Sequence, residues 1–515
     1  MLRPLDGIRV LDFTRVLAGP HATRALADLG AEVIKVEPPS GDLTRFATPR
    51  INGLSTYFVQ QNTGKRNISI DLATPRGVEL AAELADHCDL LVENYRSGVM
   101  ARLGLGSDTL RARNERLIYA SITGYGATGP WVHRRAYAPV VGAETGLTKA
   151  QGDARAGHVD GAAVYANDPQ SHADVYTAKE VTIAVLAALY ERERTGRGEW
   201  IDVSMAETML YVNEHLHDEL WDGPDDPQWI RSFAPGDYLV FTIANGDVLV
   251  VSGHPAERGT FELFLRALSL EHLADDPRFA DVALRMANFD ELRQLLLDAA
   301  TAIPDAATFE AQFAQHRLAS GVLRRARALA ETEWAAARGA IATVSDRGGG
   351  TLRVPNSPWH FSDAEVGVRG EPRYRGEDNR AVLVDRQDIE HEERGLPLVA
   401  LDQLEPRSSL VVDDDELPVE HGPTGRHAAR QPGKLRVLVR HIVQVGALQA
   451  ELPAVDECQR PISVPLDLER PPRFIGRQRP ERRLHRRHRE AQGHGRGTRL
   501  DKTPSASRAS IAAAS

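Results

Sequence analysis

Asp174 is the residue of this chain best placed for covalent chemistry. It stands at the start of a long apolar run, Val175 to about Arg192, with Thr177 three residues on. An Asp ahead of such a run is ordinarily a helix N-cap. The same geometry holds a carboxylate rigidly at the mouth of a buried helix, near its positive dipole end, where it can act as a nucleophile. A second candidate is GYGATG, Gly124 to Gly129, which fits G-x-G-x-x-G after a strand-like run, as in a dinucleotide-binding oxidoreductase. That fingerprint also needs a helix N-terminus aimed at the pyrophosphate. Pro130, Trp131 and the polar VHRRAY follow instead, so the segment reads as a glycine-rich loop. No G-x-x-x-x-G-K-[ST] is present to cradle ATP phosphates, and no G-x-S-x-G to build a serine-hydrolase elbow. Two cysteines, Cys88 and Cys458, cannot make a disulfide framework or a cysteine zinc site. His485 and His488 lie in an Arg-rich run and read as solvated, so no metal site is expected.

The elements that must position Asp174 are legible around it. Ile8 to Phe13 reads as a buried strand, Gly19-Pro20 opens a helix that Gly30 closes, and Ala31 to Glu37 is a second strand. The pattern repeats with a strand at Ile68 to Leu72, a helix from Pro75 to His87, and strands at Asp89 to Glu93 and Leu117 to Thr123. Such alternation predicts a mostly parallel sheet covered by helices. The helix after Asp174 is apolar on several faces and is expected to be buried. A strand at Trp200 to Val203 and a helix through about Leu220 follow, and WDGPDDPQW marks a linker. Beyond it, Tyr238 to Ile243 and Val248 to Val251 flank Asn245-Gly246, a strong hairpin signal. Helices are expected at Phe261 to Leu268, Phe289 to Ala302 and Thr308 to Ala314, and strands rejoining a sheet at Ile341 to Pro358.

The chain has 515 residues, 42% hydrophobic and 26% charged, with a formal net charge of -10. No window approaches the roughly 18 uninterrupted apolar residues of a membrane helix, and MLRPLDGIRVLDF lacks a signal-peptide layout, so a cytoplasmic protein without membrane contact is expected. The composition breaks near residue 375: all Met, Trp and Tyr lie before it, and Phe474 is the single aromatic after it. The segment 386–515, with DDDE and RPPRFIGRQRPERRLHRRHRE, has no sustained period and reads as disordered. A basic nucleic-acid arm is disfavoured by the missing aromatics. Out-of-frame or read-through sequence is a third reading of this segment.

Several separated blocks carry a resemblance. PLDGIRVLDFTRVLAGP, LGAEVIKVEPPSGDLTR, NTGKRNISIDLATPRG, LLVENYRSGVMARLGL, YASITGYGATGP and ERERTGRGEWIDVSMAE together resemble the family III CoA transferases, which include formyl-CoA transferase and carnitine CoA-transferase. The blocks cover residues 4 to 210 densely and continue loosely to RGEDNRAVLVD near Asp385. The resemblance implies an α/β fold: a Rossmann-like large domain with a parallel sheet, a smaller α+β domain, and a homodimer of interlocked rings. The corresponding boundaries are 1–221 and 336–385 for the large domain, 222–235 for a linker, 236–335 for the small domain and 386–515 for the tail. It also implies transfer of coenzyme A between an acyl-CoA and a carboxylic acid, through an aspartyl mixed anhydride and an aspartyl-CoA thioester at Asp174. CoA enters as co-substrate, with no permanently bound cofactor.

By the same resemblance, Val16, Ile70, Asn94, Tyr95, Arg102, Arg135, Tyr137 and Met205 occupy CoA-contacting positions. Taken singly, Val16, Ile70 and Met205 read as ordinary core and the arginines as surface charge. Pro38 and Ala73 replace two basic contacts, leaving Arg45, Lys65 or Arg66 to compensate. The fold also hosts α-methylacyl-CoA racemases. Their histidine position holds Tyr137 here, and His133 lies four residues away, so transfer is expected over racemisation. Leu17 stands where the formyl-CoA branch has Gln, which argues against an oxalate-type acceptor. The segment before Asp174, residues 151–173, is expected to shape a different pocket.

Overall fold

In the first strand, β1 (Arg9–Asp12), Val10 points to one face and Leu11 to the other, and both are fully buried. That is the signature of a parallel strand covered on both sides. A computed structural model describes residues 2–156, 165–223 and 238–384. The strand leads through α1 (Ala18–Asp28) to β2 (Glu32–Glu37). A short hairpin, β3 (Arg50–Ile51) and β4 (Leu54–Ser55), then α2 (Thr56–Asn62), precede β5 (Arg66–Ser69). The chain continues with α3 (Pro75–Asp86), β6 (Leu90–Glu93), α4 (Val99–Arg102), α5 (Ser107–Arg113) and β7 (Ile118–Thr123). Next come α6 (Ala138–Glu144), α7 (Leu147–Ala156), α8 (His172–Thr195), β8 (Trp200–Ser204) and α9 (Met205–Tyr211).

Six strands pair in parallel in the order β5-β2-β1-β6-β7-β8. On one face Ala22 and Leu26 of α1 and Ala178, Val181 and Val185 of α8 join a core with Val10, Val33, Leu90 and Ile118. On the other, α3 and α5 contribute Ala81, Leu84 and Leu110 against Leu11, Ile34, Leu91 and Tyr119. The chain moves outward from β1 through β2 to β5, then returns to lay β6 on the other side of β1. Open α/β sheets bind ligands at the carboxyl ends of their strands beside such a switch point.

A separate antiparallel sheet, β9 (Val240–Thr242), β10 (Val248–Val251) and β11 (Ser320–Val322), runs in the order β11-β10-β9. Gly246 supplies the positive φ of the β9–β10 turn, which sets Val248 opposite Thr242. Its own core includes Phe241, Phe264, Phe309 and Phe313, the last two stacked at 4.0 Å. The chain then comes back to the parallel sheet. Arg369 donates to the carbonyls of Gly30 and Ala31, Asp378 accepts the Asn67 N–H at 2.8 Å, and Val382 and Leu383 enter the α3–α5 core.

Several expected boundaries shift for physical reasons. β5 begins at Arg66, before the expected Ile68, because its polar start is satisfied across the ladder: Arg66 pairs with Glu32 and Asn67 donates to Glu37. The helix expected through Leu220 stops at Tyr211 and resumes only as Leu216–Glu219. β12 (Ile341–Ser345) and β13 (Thr351–Pro355) do not rejoin the large sheet. They pair with each other and pack Val344 and Val354 against Leu54 and Val59. The expectations for Cys458, His485, His488 and everything from 385 onward lie outside the described residues. Among the described residues no helix is long and apolar enough to cross a membrane.

Candidate active site

Helix α8 begins at His172, so Asp174 is its third residue rather than the N-cap expected from sequence. The capping work falls to Asp168, whose carboxylate accepts the N–H of Gln170 at 3.0 Å and of His172 at 2.6 Å. His172 Nδ1 lies 2.9 Å from the same carboxylate. The Asp174 carboxyl is thereby free of capping. It faces the start of α1, whose Ala18 N–H is near enough to favour the ionised carboxyl. Two helix N-termini therefore converge on one carboxylate, and each favours negative charge there.

Burial nevertheless pushes the Asp174 carboxyl up to about 6, with the Ala18 N–H pulling the other way. Among the described residues no Lys, Arg or His forms an ion pair with it. At neutral pH the group is ionised yet poorly solvated, the state in which a carboxylate is most nucleophilic. Tyr57 of α2 is driven up to about 12 by burial, then by Asp174 and Asp42, so its phenol stays protonated beside the site.

The loop from β1 to α1 is gripped by side chains. Thr14 N–H donates to Asp12 at 2.9 Å and the Thr14 carbonyl accepts from Lys35 Nζ at 2.7 Å. Asn94 accepts from Arg15 N–H and donates to the Arg15 carbonyl, each at 2.8 Å, which ties β6 to β1 across the switch point. Val16 takes the left-handed conformation, φ 67°, an outlier for a β-branched residue.

The carried-over residues gather at the carboxyl edge of the sheet in two groups. Val16, Asn94 and Tyr95 meet at the β1–β6 switch point, and Ile70 follows β5, buried in the core beside Tyr95. Met205 opens α9 and packs with Ala173, the neighbour of Asp174, and with Ala138, which follows Tyr137. Tyr137, Arg102 and Arg135 are exposed on this edge. The expected compensating cations are otherwise engaged. Arg45 pairs with Glu37 and lies 3.7 Å over the Phe58 ring, Lys65 is buried against Asp12, and Arg66 sits at the opposite end of its strand, paired with Glu32. GYGATG is followed by turn and extended chain rather than a helix, the next one starting at Ala138. It therefore lacks the dinucleotide geometry.

A model of CoA-transferase family III matches residues 5–379. The chain belongs to this family. It is 36% identical to succinyl-CoA:glutarate CoA-transferase of Mus musculus over 57% of this chain and 66% of that one, just under two thirds of the relative's length. It is 32% identical to formyl-CoA:oxalate CoA-transferase of Streptomyces avermitilis, over 76% and 98% of the two chains. Among solved structures, a CAIB/BAIF family protein from Brucella suis superposes with a TM-score of 0.64 at 29% identity, covering 75% of this chain and all of that one. A Mycobacterium tuberculosis structure superposes at 0.63 with 32% identity, covering 74% and 99%. Family III membership accounts for the six ordered sequence blocks.

Sequence reasoning missed Asp168, Tyr57 and Asp42. A signal existed for the first, since an Asp shortly before a helix is a cap candidate. Nothing local marks the other two, which reach the site through tertiary packing. It also missed Glu93, at the end of β6. Its carboxyl accepts the Tyr95 N–H at 2.8 Å and is pushed up to about 7 by burial, beside a cavity of about 200 Å³ also lined by Ser97, Tyr119, Ser121 and Trp200.

Proposed function

We propose that this chain transfers coenzyme A from an acyl-CoA to a carboxylic acid, with Asp174 as the covalent nucleophile. The observation that carries the reading is the Asp174 carboxylate: desolvated, without a cationic partner among the described residues, and met by the first N–H of α1. An Asp174 oxygen attacks the thioester carbonyl, and the resulting oxyanion collapses with loss of the CoA thiolate to leave a mixed anhydride. The thiolate then attacks the Asp174 carbonyl, releasing the donor acid and leaving an aspartyl-CoA thioester. The acceptor carboxylate attacks that carbonyl and expels the thiolate again. Attack of the thiolate on the acceptor acyl carbon yields the new acyl-CoA and restores Asp174. One thioester replaces another, so the exchange is near thermoneutral. The N–H groups at the α1 terminus are donors for the developing oxyanions.

In this reading Val16, Ile70, Asn94, Tyr95, Tyr137 and Met205 line the CoA path, and Arg102 and Arg135 supply charge for its phosphates. The large domain takes 1–221 and 336–385 and the small domain 236–335, in a cytoplasmic homodimer of interlocked rings. An apolar stripe on α8 supports a partner. Tyr176, Ile183 and Tyr190, spaced by seven, are 39%, 59% and 70% exposed on the outer face of this helix. Relatives named for glutarate and oxalate point to dicarboxylic acids as the acceptor class to screen first, with Leu17 arguing against oxalate itself. The test is Asp174→Ala assayed across a panel of acyl-CoA donors and acids. Exchange is expected to fall by at least about a thousandfold, as for loss of other covalent nucleophiles. Unchanged exchange would overturn the assignment, and α-proton exchange in deuterated water without an acceptor would point to racemisation instead.

A further inference from the structure

Val16 is held in its left-handed conformation by a residue 26 positions later. Asp42 is fully buried, and its two oxygens do different work. Oδ1 caps the short turn Leu43–Phe46, accepting from Thr44 N–H and Thr44 Oγ1 at 2.9 Å each. Oδ2 reaches away from that turn. It is the nearer of the two oxygens to the Val16 N–H, accepting at 3.2 Å against 3.4 Å for Oδ1, and it lies 3.2 Å from Lys35 Nζ. A local capping role explains the Thr44 contacts and leaves those to Val16 and Lys35 unexplained. Asp42 itself is anchored by its own N–H, which donates to Glu37 at 2.8 Å.

The consequence falls two residues beyond Val16. A β-branched residue at φ 67° is strained and persists only where its surroundings impose it. Relaxing Val16 to an extended conformation would redirect Leu17 and the Ala18 N–H, which favours the ionised Asp174 carboxyl. We infer that Asp42 is a positioning residue for the Asp174 chemistry: its Oδ2 fixes Val16 in the left-handed conformation that aims the first N–H of α1 at the Asp174 carboxylate. The inference rests on Asp174 being the nucleophile.

The charges around both groups give the test a direction. Tyr57 faces both Asp174 and Asp42, while Asp42 also faces Lys35, Glu37 and Tyr95, with Lys65 and Asp12 behind them. Asp42→Asn keeps the oxygen that caps Thr44, with its longer contact to the Val16 N–H, but replaces the nearer acceptor of that N–H by an NH2 that faces it and Lys35. Loss of negative charge alone makes Asp174 easier to ionise and moves the acid limb of kcat/KM down. Loss of the Ala18 N–H makes it harder to ionise and moves the limb up.

The experiment measures that limb, and the rate at which acyl-CoA labels Asp174, in wild-type protein, in Asp42→Asn, and in Asp42→Asn combined with Val16→Gly. For Asp42→Asn the limb is expected to rise by roughly 0.5–1 pH unit and labelling to slow on the order of tenfold. Adding Val16→Gly, which adopts positive φ without strain, is expected to bring the limb back toward wild type. Should Asp42→Asn fail to fold, Asp42→Ser retains the cap, withdraws Oδ2 and is read the same way. A limb that stays or falls, or one that glycine does not restore, overturns the inference while leaving the nucleophile intact. Absence of label on wild-type Asp174 overturns the nucleophile itself.

Discussion

In the proposed reaction Asp174 couples activity and stability through one proton. Its carboxyl is raised to about 6 in the fold, from an ordinary value near 3.8, because burial disfavours the charge. As the proposed nucleophile it must be ionised, so the acid limb of kcat/KM is expected near pH 6, with activity lost as pH falls through it. For stability the sign is the opposite. A raised carboxyl favours the fold at low pH, and that contribution is lost as pH rises from about 4 to about 6. Asp174→Asn is therefore expected to abolish exchange while raising the melting temperature at pH 8, by on the order of 1–3 kcal/mol of stability, and to change it little at pH 4. Glu93 follows the same rule over a higher window, its carboxyl being raised to about 7 by burial. Glu93→Gln is expected to stabilise the protein at pH 8 and not at pH 4, as paired thermal melts would show. An equal shift at both pH values would mean that Glu93 does not titrate in the fold.

The decisive element is the first turn of α8, where sequence pattern and structure diverge most usefully. The apolar run of this helix was legible by periodicity, and so was Asp174 at its mouth. The start was not, because Ser171 sits in the left-handed region and the cap comes from Asp168, outside the run. Asp168→Ala is expected to cost about 0.5–2 kcal/mol, as other lost caps do, and to lower kcat by fraying the turn that carries Asp174. Asp168→Asn, which can still accept, is expected to keep most of both, with thermal melts and steady-state kinetics as the readouts. The β1–α1 loop was less legible. Val16 and Asn94 came from family resemblance, and no local pattern shows that Asn94 clamps Arg15 or that Asp42 reaches Val16. Long-range hydrogen bonds leave no period in a sequence. The polar start of β5 escaped for the same reason, since its partners lie on β2.

Across the whole molecule, two separate cores accompany two kinds of sequence pattern. Alternating strands and helices give the parallel sheet, whereas Asn245-Gly246 and a set of phenylalanines give the antiparallel sheet with its own aromatic core. The parallel sheet could be read from the sequence because its strands are short apolar runs between strong helix signals. The fate of Ile341 to Pro358 could not, because a hairpin that packs on α2 and a strand that joins a sheet share the same residues and turn. The α8 stripe carries the expectation for assembly. Ile183→Glu is predicted to weaken self-association by at least about tenfold, the scale of one buried apolar side chain replaced by a charge. Sedimentation velocity across a concentration series reads this, and unchanged association would place the interface elsewhere.

The central claim is that the acyl group passes through the Asp174 carboxylate, and trapping tests it most directly. Wild-type protein is incubated with an acyl-CoA, quenched, treated with or without hydroxylamine and mapped by mass spectrometry. The account predicts a hydroxylamine-sensitive acyl or CoA adduct on Asp174, absent from Asp174→Ala and discharged when a competent acceptor acid is added. Turnover with no adduct on Asp174, or an adduct on another residue that persists in Asp174→Ala, would contradict it.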